Sequence, residues 1–500
     1  MGSYGPDPTS EVVIALGSNQ GSRVEHVVSG IKTLEKYGIK VLRTSLLYET
    51  APMHVTDQPP FINAALLART DLPPLQLLYH LKQIEKATGR DLQTGQRWGP
   101  RPLDLDVIFY GPQAIDHEAL TVPHPRWEQR PFVQAPLADL LRPSDLERGF
   151  IEEQDPARSA LGRLKDAAAL WEAGGGEAQV GQPGLCRVLP VQRQIWELGS
   201  MTHIMGILNV TPDSFSDGGA HMQGPAAAVA AARAMVRAGA GIIDIGGQST
   251  RPGSARVGPE EELARILPVI RAMREDSEMV HTPISVDTYF ASVAAAAAAE
   301  GADVINDVSG GTVDAGMLPT VAALGLPFVA MHMRGDMDSM WSDAATTYDT
   351  SVASEVGDEL AARAEAAMAA GVPAFHLILD PGLGFSKTQR QSAELLGKLG
   401  EMRRRLPGAL GRMPLLVGPS RKRFIGSITG REDPRDRDLG TAAACVVAAA
   451  QGAEIMRVHN VPVVREALRV VDCVYRGTPL VRLEQTAAAF PVHPGRGGVA

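Results

Sequence analysis

Two aspartates at the start of an apolar run pose the first chemical question. Asp104 and Asp106 stand in RWGPRPLDLDVIFYG (97–111), just before residues with the composition of a buried strand. Side chains two residues apart in a strand point the same way, so both carboxylates face one surface. Two like charges placed in this way repel each other and resist removal from water. The spacing therefore predicts that positive charge lies close to the pair.

A divalent cation is the simplest charge that could neutralise the pair. Mg²⁺ prefers oxygen ligands and is commonly held by one or two carboxylates together with substrate phosphates. Zinc would favour Cys or His ligands, and no Cys lies in this part of the chain. The alternative that stays open is an aspartate pair held by arginines alone.

Arginines are abundant on the turn-rich segments that flank the two aspartates. They are Arg90, Arg97, Arg101, Arg126 and Arg130. The planar guanidinium group matches phosphate oxygens bidentately, so metal and arginines together describe a phosphoryl-transfer site. The chain has no G-x-x-x-x-G-K-[ST] motif, which excludes a P-loop kinase.

The elements that must position these side chains follow a clear order early in the chain. Strands are predicted at residues 11–16, 39–50, 61–70 and 103–110, and helices at 24–36 and 73–89. The helices carry apolar residues on one face, and the strands are short apolar runs. The order βαββαβ is typical of a ferredoxin-like α+β domain.

A different unit repeats in the second half of the chain, where short apolar runs alternate with Ala-rich helical segments. Eight runs are found, at residues 203–211, 240–250, 283–288, 302–310, 327–335, 375–385, 414–422 and 453–460. Eight such units over about 260 residues predict an α/β architecture, the (β/α)₈ TIM barrel.

Polar residues stand where these eight strands end, which is where the active sites of such barrels lie. They are Asn209, Thr250, Arg251, Asp287, Asn306, His332, Asp380, Ser420, Arg421, Lys422, Arg457 and His459. Any one of them could be a capping or loop residue. Together they predict one mouth that suits a ligand with both hydrogen-bonding ring edges and phosphate.

Composition and charge limit the classes to which the protein can belong. With 500 residues we expect two or three domains. A net charge of −9 and 5% aromatic residues argue against nucleic-acid binding. Three widely spaced cysteines give no disulfide framework, and no apolar run approaches the length of a membrane span. We therefore expect a soluble protein, with no targeting segment visible in MGSYGPDPTS.

A glycine-rich run, GGGEAQVGQPG, separates the two regions and has the composition of a linker. We place the first domain at residues 1–172, the linker at 173–184 and the barrel domain at 185–500.

The first region resembles hydroxymethyl-dihydropterin pyrophosphokinase over residues 11–145. The resemblance is carried by RWGPRPLDLD, by TVPHPR (121–126), and by GSN (17–19), QPPFINAAL (58–66) and IEKATGR (84–90). It implies transfer of pyrophosphate from ATP to a pterin hydroxymethyl group with Mg²⁺. The loop DLQTGQ (91–96) departs from the family pattern because it lacks an extra basic residue, so we expect weaker closure over ATP.

The same resemblance implies roles for individual residues. Asp104 and Asp106 would bind the metal, and Asp106 would take part in catalysis with Arg90 and Arg101. The pterin would be held by Phe61, Asn63, Trp98 and Phe132, with backbone groups from Thr50 to Pro52. ATP would contact Lys82, Glu85, Arg101, His124 and Arg130. From their types alone, Trp98 could instead be a packing residue and His124 a turn residue.

The second region resembles dihydropteroate synthase over residues 185–478. The signatures are MGILNVTPDSFSDGG (205–219), DIGGQSTRPG (244–253), SVDT (285–288), INDVSG (305–310), LDPGLGF (379–385), SRK (420–422) and RVHN (457–460). This family joins dihydropterin pyrophosphate to p-aminobenzoate and releases pyrophosphate. The segments 211–224 and 249–258 have the composition of loops that close over the second substrate.

Roles in the barrel also follow from this resemblance. Asp287, Asn306 and Asp380 would satisfy the pterin edge, and Lys422 would contact the pterin face and take part in catalysis. Arg457, His459, Thr250 and Asn209, the last through Mg²⁺, would stabilise the departing pyrophosphate. Ser420 would bind substrate, and Arg251 would act from the outer loop.

Together the two resemblances indicate a bifunctional folate-biosynthesis enzyme. The linker resembles the junction of fused plant and algal enzymes, which implies the mitochondrial matrix; otherwise we expect the cytoplasm. We also expect a homo-oligomer formed through the barrel. The alternatives are a pterin-binding methyltransferase barrel and a non-catalytic scaffold with one inactive domain.

Overall fold

The computed structural model describes residues 9–53, 55–91, 98–142, 159–182, 184–210, 224–248 and 256–479. The chain divides into two compact units. The first unit runs to Glu197 and includes two later segments, Pro373–Phe375 and Pro407–Arg412. The second unit contains the rest of the chain from Leu198 onward.

The first unit confirms the predicted α+β order of elements. Its first five strands are β1 (Ser10–Ser18), β2 (Lys40–Thr44), β3 (Leu47–Thr50), β4 (Phe61–Thr70) and β5 (Asp104–Tyr110). Its first two α-helices are Arg23–Leu34 and Pro74–Ala87. The strand predicted at 39–50 is thus divided into β2 and β3. The remaining elements are a hairpin of β6 (Ile115–His117) and β7 (Leu120–Val122), and the helices Pro131–Leu140 and Leu161–Ala173.

The sheet of the first unit places β1 between β4 and β5, all antiparallel. In this register Gly17 of β1 lies opposite Asn63 on one side and Asp104 on the other. A Cβ atom at Gly17 would lie 3.2 Å from the Asn63 side-chain oxygen, which is a tight contact. The absence of a side chain at residue 17 therefore leaves space between these two polar groups.

A second hairpin extends this sheet on the side of β3. It consists of β8 (Leu185–Val191) and β9 (Gln194–Glu197), and β8 pairs with β3 in antiparallel register. The domain bounds of 1–172, 173–184 and 185–500 remain a prediction about how the chain is divided between the two activities.

The second unit is a parallel eight-stranded barrel, as predicted. Its strands are β10 (His203–Asn209), β11 (Ile242–Gly246), β12 (Ile284–Asp287), β13 (Val304–Asp307), β14 (Phe328–Met331), β15 (Leu377–Asp380), β16 (Leu416–Val417) and β17 (Ile455–Val458). The sheet order runs from β15 back to β10 and continues through β17 to β16. Leu379 of β15 closes the ring, since its N–H donates to the carbonyl of Pro414 at 2.9 Å.

Helices alternate with the barrel strands. They span Pro225–Arg237, Pro259–Glu275, Ala291–Ala299, Met317–Leu324, Asp343–Thr346, Val352–Ala369, Gln389–Gly397, Leu399–Arg405, Arg423–Thr429, Asp438–Ala450 and Val461–Tyr475. The helix Gln389–Gly397 begins with a capping box, in which Thr388 and Gln391 each bond the other's backbone N–H. In the described part of the chain, no helix is both long and apolar enough to cross a membrane.

Candidate functional site

A cavity of about 270 Å³ lies in the first unit beside the start of β5. The structure gathers twelve of the predicted residues around it: Thr50, Phe61, Asn63, Lys82, Arg90, Trp98, Arg101, Asp104, Asp106, His124, Arg130 and Phe132. Pro52 and Glu85 are outside this lining, whereas Arg126, which was predicted only as one of the arginines flanking the aspartates and was given no individual role, belongs to it. The strands and turns of the first unit thus bring the two motifs RWGPRPLDLD and TVPHPR to one cavity.

Asp104 is neutralised by arginines. Arg101 Nη1 lies 2.7 Å from Asp104 Oδ2, and Arg90 donates a short hydrogen bond to Oδ1. Burial alone would raise the pKa of Asp104, but Arg101 and Arg90 outweigh it and hold the pKa below its ordinary value. This carboxylate therefore needs no metal to remain ionised in the folded protein.

Asp106 is placed differently, although it is only two residues away. Its side chain is 36% exposed, and the basic group it meets is His124, with Nε2 at 3.8 Å from Oδ2. Burial and then the charge of Asp104 raise the pKa of Asp106. Burial also lowers the pKa of His124, so this imidazole is a weak source of positive charge. Asp106 consequently presents to the cavity a carboxylate that an added cation would stabilise.

The donor set fits a hard divalent cation that completes its coordination with water and phosphate. Two carboxylates face the cavity, and the described residues contain no cluster of three or more His, Cys, Asp or Glu side chains. A site built entirely from protein ligands, of the kind that zinc prefers, is therefore not formed by these residues. Among the described residues, arginines are sufficient to neutralise Asp104, whereas the pKa of Asp106 remains raised.

Glu85 organises the basic side chains behind the cavity. It is fully buried, and Oε1 lies 2.7 Å from Lys82 Nζ while Oε2 lies 2.8 Å from Arg90 Nη1. The same Oε1 accepts a hydrogen bond of 2.7 Å from the backbone N–H of Leu105. Helix Pro74–Ala87 is thereby tied to β5, with Lys82 and Arg90 directed toward the two aspartates.

Aromatic and amide groups form the other wall of the cavity. Asn63 Nδ2 donates to Thr50 Oγ1 at 2.7 Å, and the Arg101 guanidinium lies 5.8 Å from the centre of the Phe61 ring. Trp98 adopts a left-handed backbone with φ of 62°, a conformation that costs about 1 kcal/mol or more outside glycine. Its carbonyl accepts a hydrogen bond of 2.9 Å from Gln58.

Asn19 links this strained turn to β1 and was missed as a positioning residue. Its side chain donates to Gln58 Oε1 at 3.0 Å and accepts from the Arg101 N–H at 2.8 Å. Asn19 and Gln58 both occur in quoted motifs, GSN and QPPFINAAL. The available signal was therefore their presence in those motifs, since their long-range pairing is not visible in the sequence.

The barrel mouth is organised around Arg457 at the end of β17. Its Nε donates to Asp244 Oδ2 at 2.7 Å, and its Nη2 to Asp287 Oδ2 at 2.6 Å. Asn306 Nδ2 lies 3.2 Å from Asp244 Oδ2, and Ser285 donates to Asp244 Oδ1 at 2.6 Å. Three strand ends thus converge on one buried carboxylate, Asp244.

Asp244 was not predicted as a site residue. It lies within the apolar run AGIIDIGG and is fully buried. A lone carboxylate inside an otherwise apolar strand is rarely tolerated without a paired cation, and this was the signal in the sequence. The identity of its partner, Arg457, depends on the closure of the barrel.

Burial shifts the titration of two further groups at the mouth. It raises the pKa of Asp287 to about 7, although Arg457 opposes the shift. It lowers the pKa of Lys422 to about 8, although Asp380 opposes that shift. Both groups therefore titrate near neutral pH, which is common for residues that act on a substrate.

The remaining predicted residues of the mouth are placed as follows. Lys422 donates a short hydrogen bond to the Leu383 carbonyl and lies 4.5 Å from the centre of the Phe385 ring. Ser420 Oγ lies 2.9 Å from His459 Nδ1. Asp380 Oδ1 accepts the Gly382 N–H at 2.7 Å.

Asn209 ends β10 beside Gly246 of β11. A Cβ atom at Gly246 would lie 3.6 Å from both the Asn209 side-chain oxygen and the Asp287 Cβ, so these two side chains approach each other above Gly246. Thr250, Arg251, Arg97 and most of the loop 91–96 lie outside the described residues, as do 211–223.

Two family models match the chain. The model described as 7,8-dihydro-6-hydroxymethylpterin-pyrophosphokinase matches residues 13–142. The model described as pterin binding enzyme matches residues 205–459. The two matches fall on the two sites described above, and the second alone covers about half of the chain.

Proteins named as bifunctional folate synthesis proteins are similar to this chain over most of its length. A protein of Arabidopsis thaliana named "Folate synthesis bifunctional protein, mitochondrial" is 46% identical over 93% of this chain and 83% of its own. Its namesake in Pisum sativum is 45% identical over 93% and 90%. A second Arabidopsis thaliana protein, whose name gives no compartment, is 44% identical over 92% and 95%.

Solved structures are similar to the barrel unit. The dihydropteroate synthase of Xanthomonas albilineans, solved with 4-aminobenzoic acid, has a TM-score of 0.52 at 42% identity, over 58% of this chain and 98% of its own. The synthase of Yersinia pestis in a sulfonamide drug complex has a TM-score of 0.51 at 39% identity, over 57% and 98%.

Proposed function

This chain belongs to the family of bifunctional folate synthesis proteins, and we infer from that membership that it catalyses two successive reactions. In the first, pyrophosphate is transferred from ATP to the hydroxymethyl group of a dihydropterin. In the second, the dihydropterin pyrophosphate condenses with p-aminobenzoate, giving dihydropteroate and pyrophosphate. The observation that carries this conclusion is that the described residues form a charged polar site in each unit.

We propose that the first cavity binds ATP and Mg²⁺ beside the pterin. Asp106, together with Asp104, would hold the metal, which when bound would neutralise phosphate charge and orient the transferred group. Lys82, Arg90, Arg101, His124 and Arg130 would contact ATP phosphates, since the cavity presents these cations to a polyanion. Glu85 does not line the cavity, so it would act indirectly, by holding Lys82 and Arg90 in position.

The pterin would lie against the opposite wall of the first cavity. Phe61, Trp98 and Phe132 offer flat apolar surfaces for the heterocycle. Asn63, held by Thr50, offers an amide to the ring edge. The direct role of Pro52 rests on the family resemblance, because that residue is not part of the lining.

At the barrel mouth, the pterin edge would be met by Asp287, Asn306 and Asp380, whose oxygens accept hydrogen bonds from ring N–H and amino groups. Lys422 would contact the pterin beside Phe385. Arg457 and His459, with Ser420 bonded to His459, would stabilise the negative charge that develops on the departing pyrophosphate. The roles of Asn209 toward Mg²⁺, and of Thr250 and Arg251, are proposed from the family resemblance.

Two alternatives are less well supported. A methyltransferase barrel would share the fold of the second unit. However, the relatives that match nearly the whole chain are named as folate synthesis proteins. A scaffold with one inactive domain would be expected to lose site residues. Both sites instead retain their charged residues in mutually bonded positions.

The proposed function is tested by a coupled assay with hydroxymethyl-dihydropterin, ATP, Mg²⁺ and p-aminobenzoate. The wild-type chain is expected to form dihydropteroate. Asp104→Ala should block this reaction unless dihydropterin pyrophosphate is supplied, and Lys422→Ala should block it even then. A wild-type chain that fails to consume ATP in a pterin-dependent manner would contradict the assignment of the first unit.

We propose further that the protein forms a homo-oligomer through the barrel. The last helix exposes Val463, Val470 and Val474 on one face, and the preceding helix exposes Leu439. Exposed apolar side chains at helical spacing are typical of subunit contacts. Val470→Glu should lower the mass measured by sedimentation, whereas Val313→Glu, on a loop, should leave it unchanged. An unchanged mass for Val470→Glu would count against this surface.

We propose the mitochondrial matrix as the compartment, on the likeness to the two plant proteins with mitochondrial names. A fluorescent fusion of the complete coding sequence should co-localise with a matrix marker. A diffuse signal in the cytoplasm would contradict this assignment.

A further inference from the structure

We propose that Lys387 is a positioning residue of the synthase site. Its ammonium group holds the segment Gly382–Ser386, here called the β15 loop, against the end of β14. The β15 loop in turn supplies the backbone carbonyl and the aromatic ring that hold Lys422. The proposal rests on the proposed synthase function of the barrel.

Lys387 is buried to an extent that is rare for a lysine. Only 1% of its surface is exposed. Nζ lies 2.9 Å from His332 Nδ1, 3.1 Å from the Gly382 carbonyl and 2.9 Å from the Phe385 carbonyl. Three acceptors match the three N–H bonds of an ammonium group. Two of these acceptors belong to the β15 loop, so the side chain closes the loop on itself.

His332 anchors this arrangement to β14. It is fully buried, and Nε2 lies 3.0 Å from Glu359 Oε2. Burial lowers the pKa of His332 to about 3, so the ring is neutral. A neutral ring that donates from Nε2 to Glu359 has its Nδ1 lone pair available for Lys387. The side chains Lys387, His332 and Glu359 therefore form a continuous chain of hydrogen bonds to the helix Val352–Ala369.

The β15 loop has a shape that requires such an anchor. Gly382 has a φ of 65°, and a Cβ atom there would collide with the carbonyl of His332. Ser386 has a φ of 49°, which is unfavourable for a residue other than glycine. The Ser386 hydroxyl also donates to the Arg334 carbonyl at 2.8 Å and accepts the Arg334 N–H at 2.9 Å.

Lys422 depends directly on the β15 loop. It donates to the Leu383 carbonyl and lies over the Phe385 ring, while a Cβ atom at Gly384 would lie 3.0 Å from its Cδ. The loop thus packs against the lysine stem and limits its contact with water, although Lys422 remains partly exposed. Release of the loop would hydrate the Lys422 ammonium, which stabilises the charged form.

Several charged groups face the two lysines. Burial lowers the pKa of Lys387 well below its ordinary value, Lys422 and Arg363 act in the same direction, and Asp380 and Glu359 oppose them. The three hydrogen-bond acceptors around Nζ favour the charged form in spite of this burial. On Lys422, Arg457 acts in the same direction as burial, whereas Asp380 and Asp287 oppose it. Burial is the largest influence on Lys422, whose pKa it lowers to about 8. Arg457 and Asp287 are held by their bond to each other, whereas Asp380 accepts a hydrogen bond from Gly382 of the β15 loop. Loss of the loop would therefore act on Lys422 through hydration and through Asp380.

The test compares Lys387→Met with Lys398→Met in the full chain. Methionine keeps the apolar stem of Lys387 but removes every hydrogen bond, whereas Lys398 is surface exposed and paired only with Glu394. For Lys387→Met we expect KM for dihydropterin pyrophosphate to rise about tenfold, equivalent to about one good hydrogen bond to a charged group. The alkaline limb of the synthase pH profile should move up by about one pH unit. KM for ATP in the pyrophosphokinase reaction should not change, and Lys398→Met should match the wild type.

The outcomes distinguish a positioning role of Lys387 from a purely structural role. A purely structural lysine would lower the kcat of the synthase through loss of folded protein, without a shift of the alkaline limb, and that result would overturn the proposal. If Lys387→Met does not fold, Ser386→Ala removes two hydrogen bonds from the same loop and deletes only one buried oxygen atom. It should move KM and the alkaline limb in the same direction, and wild-type values for it would also overturn the proposal. A wild-type chain without synthase activity would instead refute the proposed function.

Discussion

At the scale of single residues, the pKa values of the two aspartates of the DLD sequence are shifted in opposite directions. Two arginines hold Asp104 ionised, whereas burial and the Asp104 charge disfavour ionisation of Asp106. The spacing of two residues made the need for positive charge visible in the sequence. It did not show that Arg90 and Arg101 would both bond to Asp104, because that depends on which side chain faces helix Pro74–Ala87 and which faces the cavity.

This asymmetry predicts opposite effects on stability. A depressed pKa means that Asp104 stabilises the folded state above its unfolded pKa, and the contribution is lost as pH falls through its folded pKa. Asp104→Asn should therefore lower the free energy of unfolding at pH 7 by about 1 to 3 kcal/mol. A raised pKa has the reverse consequence, so Asp106→Asn should leave stability unchanged or increase it. The measurement is urea unfolding at about pH 7 without Mg²⁺.

The matched comparison is pyrophosphokinase activity, which both substitutions should abolish if both carboxylates bind the metal. Equal loss of stability in the two variants would show that the two aspartates share one environment. That result would contradict the assignment of the arginines to Asp104 alone.

The barrel mouth predicts a bell-shaped pH profile for synthase kcat/KM. Asp287, with a pKa raised to about 7, must be ionised to accept hydrogen bonds from the pterin. Lys422, with a pKa lowered to about 8, must be protonated to donate. Activity should therefore rise through about pH 7 and fall through about pH 8. Initial rates with saturating p-aminobenzoate provide the measurement.

Lys422→Arg is the control for the alkaline limb, because arginine stays charged to a much higher pH. Its residual activity should lose that limb while keeping the acid limb. A flat profile for the wild type between about pH 6 and about pH 9 would count against both assignments.

At the scale of elements, most of the fold was accessible from the sequence because the signals are local. Apolar runs separated by Ala-rich helices predicted all eight barrel strands, and the same reasoning gave the βαββαβ order. The rule that active sites lie at strand ends then identified Asp287, Asn306 and Arg457. The β8–β9 hairpin beside β3 was not predicted, since the pairing of strands far apart in sequence leaves no local pattern.

The β15 loop gives an element-scale prediction. Gly382→Ala would place a methyl group against the His332 carbonyl with φ of 65°, so the loop that holds Lys422 must shift from its position. We expect synthase kcat/KM to fall at least about tenfold, with pyrophosphokinase activity retained. Steady-state kinetics of both reactions on the same preparation provide the measurement.

Gly397→Ala is the matched control. Gly397 is the last residue of the helix Gln389–Gly397, and a Cβ atom there would have no neighbour within 4 Å. Alanine in place of helical glycine should stabilise the protein by up to about 1 kcal/mol and leave both activities unchanged. Wild-type synthase kinetics for Gly382→Ala would show that the β15 loop can rearrange without consequence for Lys422.

At the scale of the whole molecule, the two sites are divided cleanly between the units. The cavity beside β5 is lined only by residues of the first unit, and Arg457, Asp287, Asp380 and Lys422 all belong to the second. Within the ranges that the structure describes, the residues assigned to each site thus come from one unit. The product of the first reaction is the substrate of the second.

This division predicts that the two activities can be supplied by separate molecules. Asp106→Ala should lack the first reaction and Lys422→Ala the second, so neither variant alone should form dihydropteroate from hydroxymethyl-dihydropterin, ATP and p-aminobenzoate. An equimolar mixture should restore dihydropteroate formation after a lag, because released dihydropterin pyrophosphate must accumulate before the second variant can use it. Each variant should also retain its intact partial reaction when assayed alone. If both partial reactions are normal but the mixture forms no product, transfer within one molecule is required, and independence of the two sites is excluded.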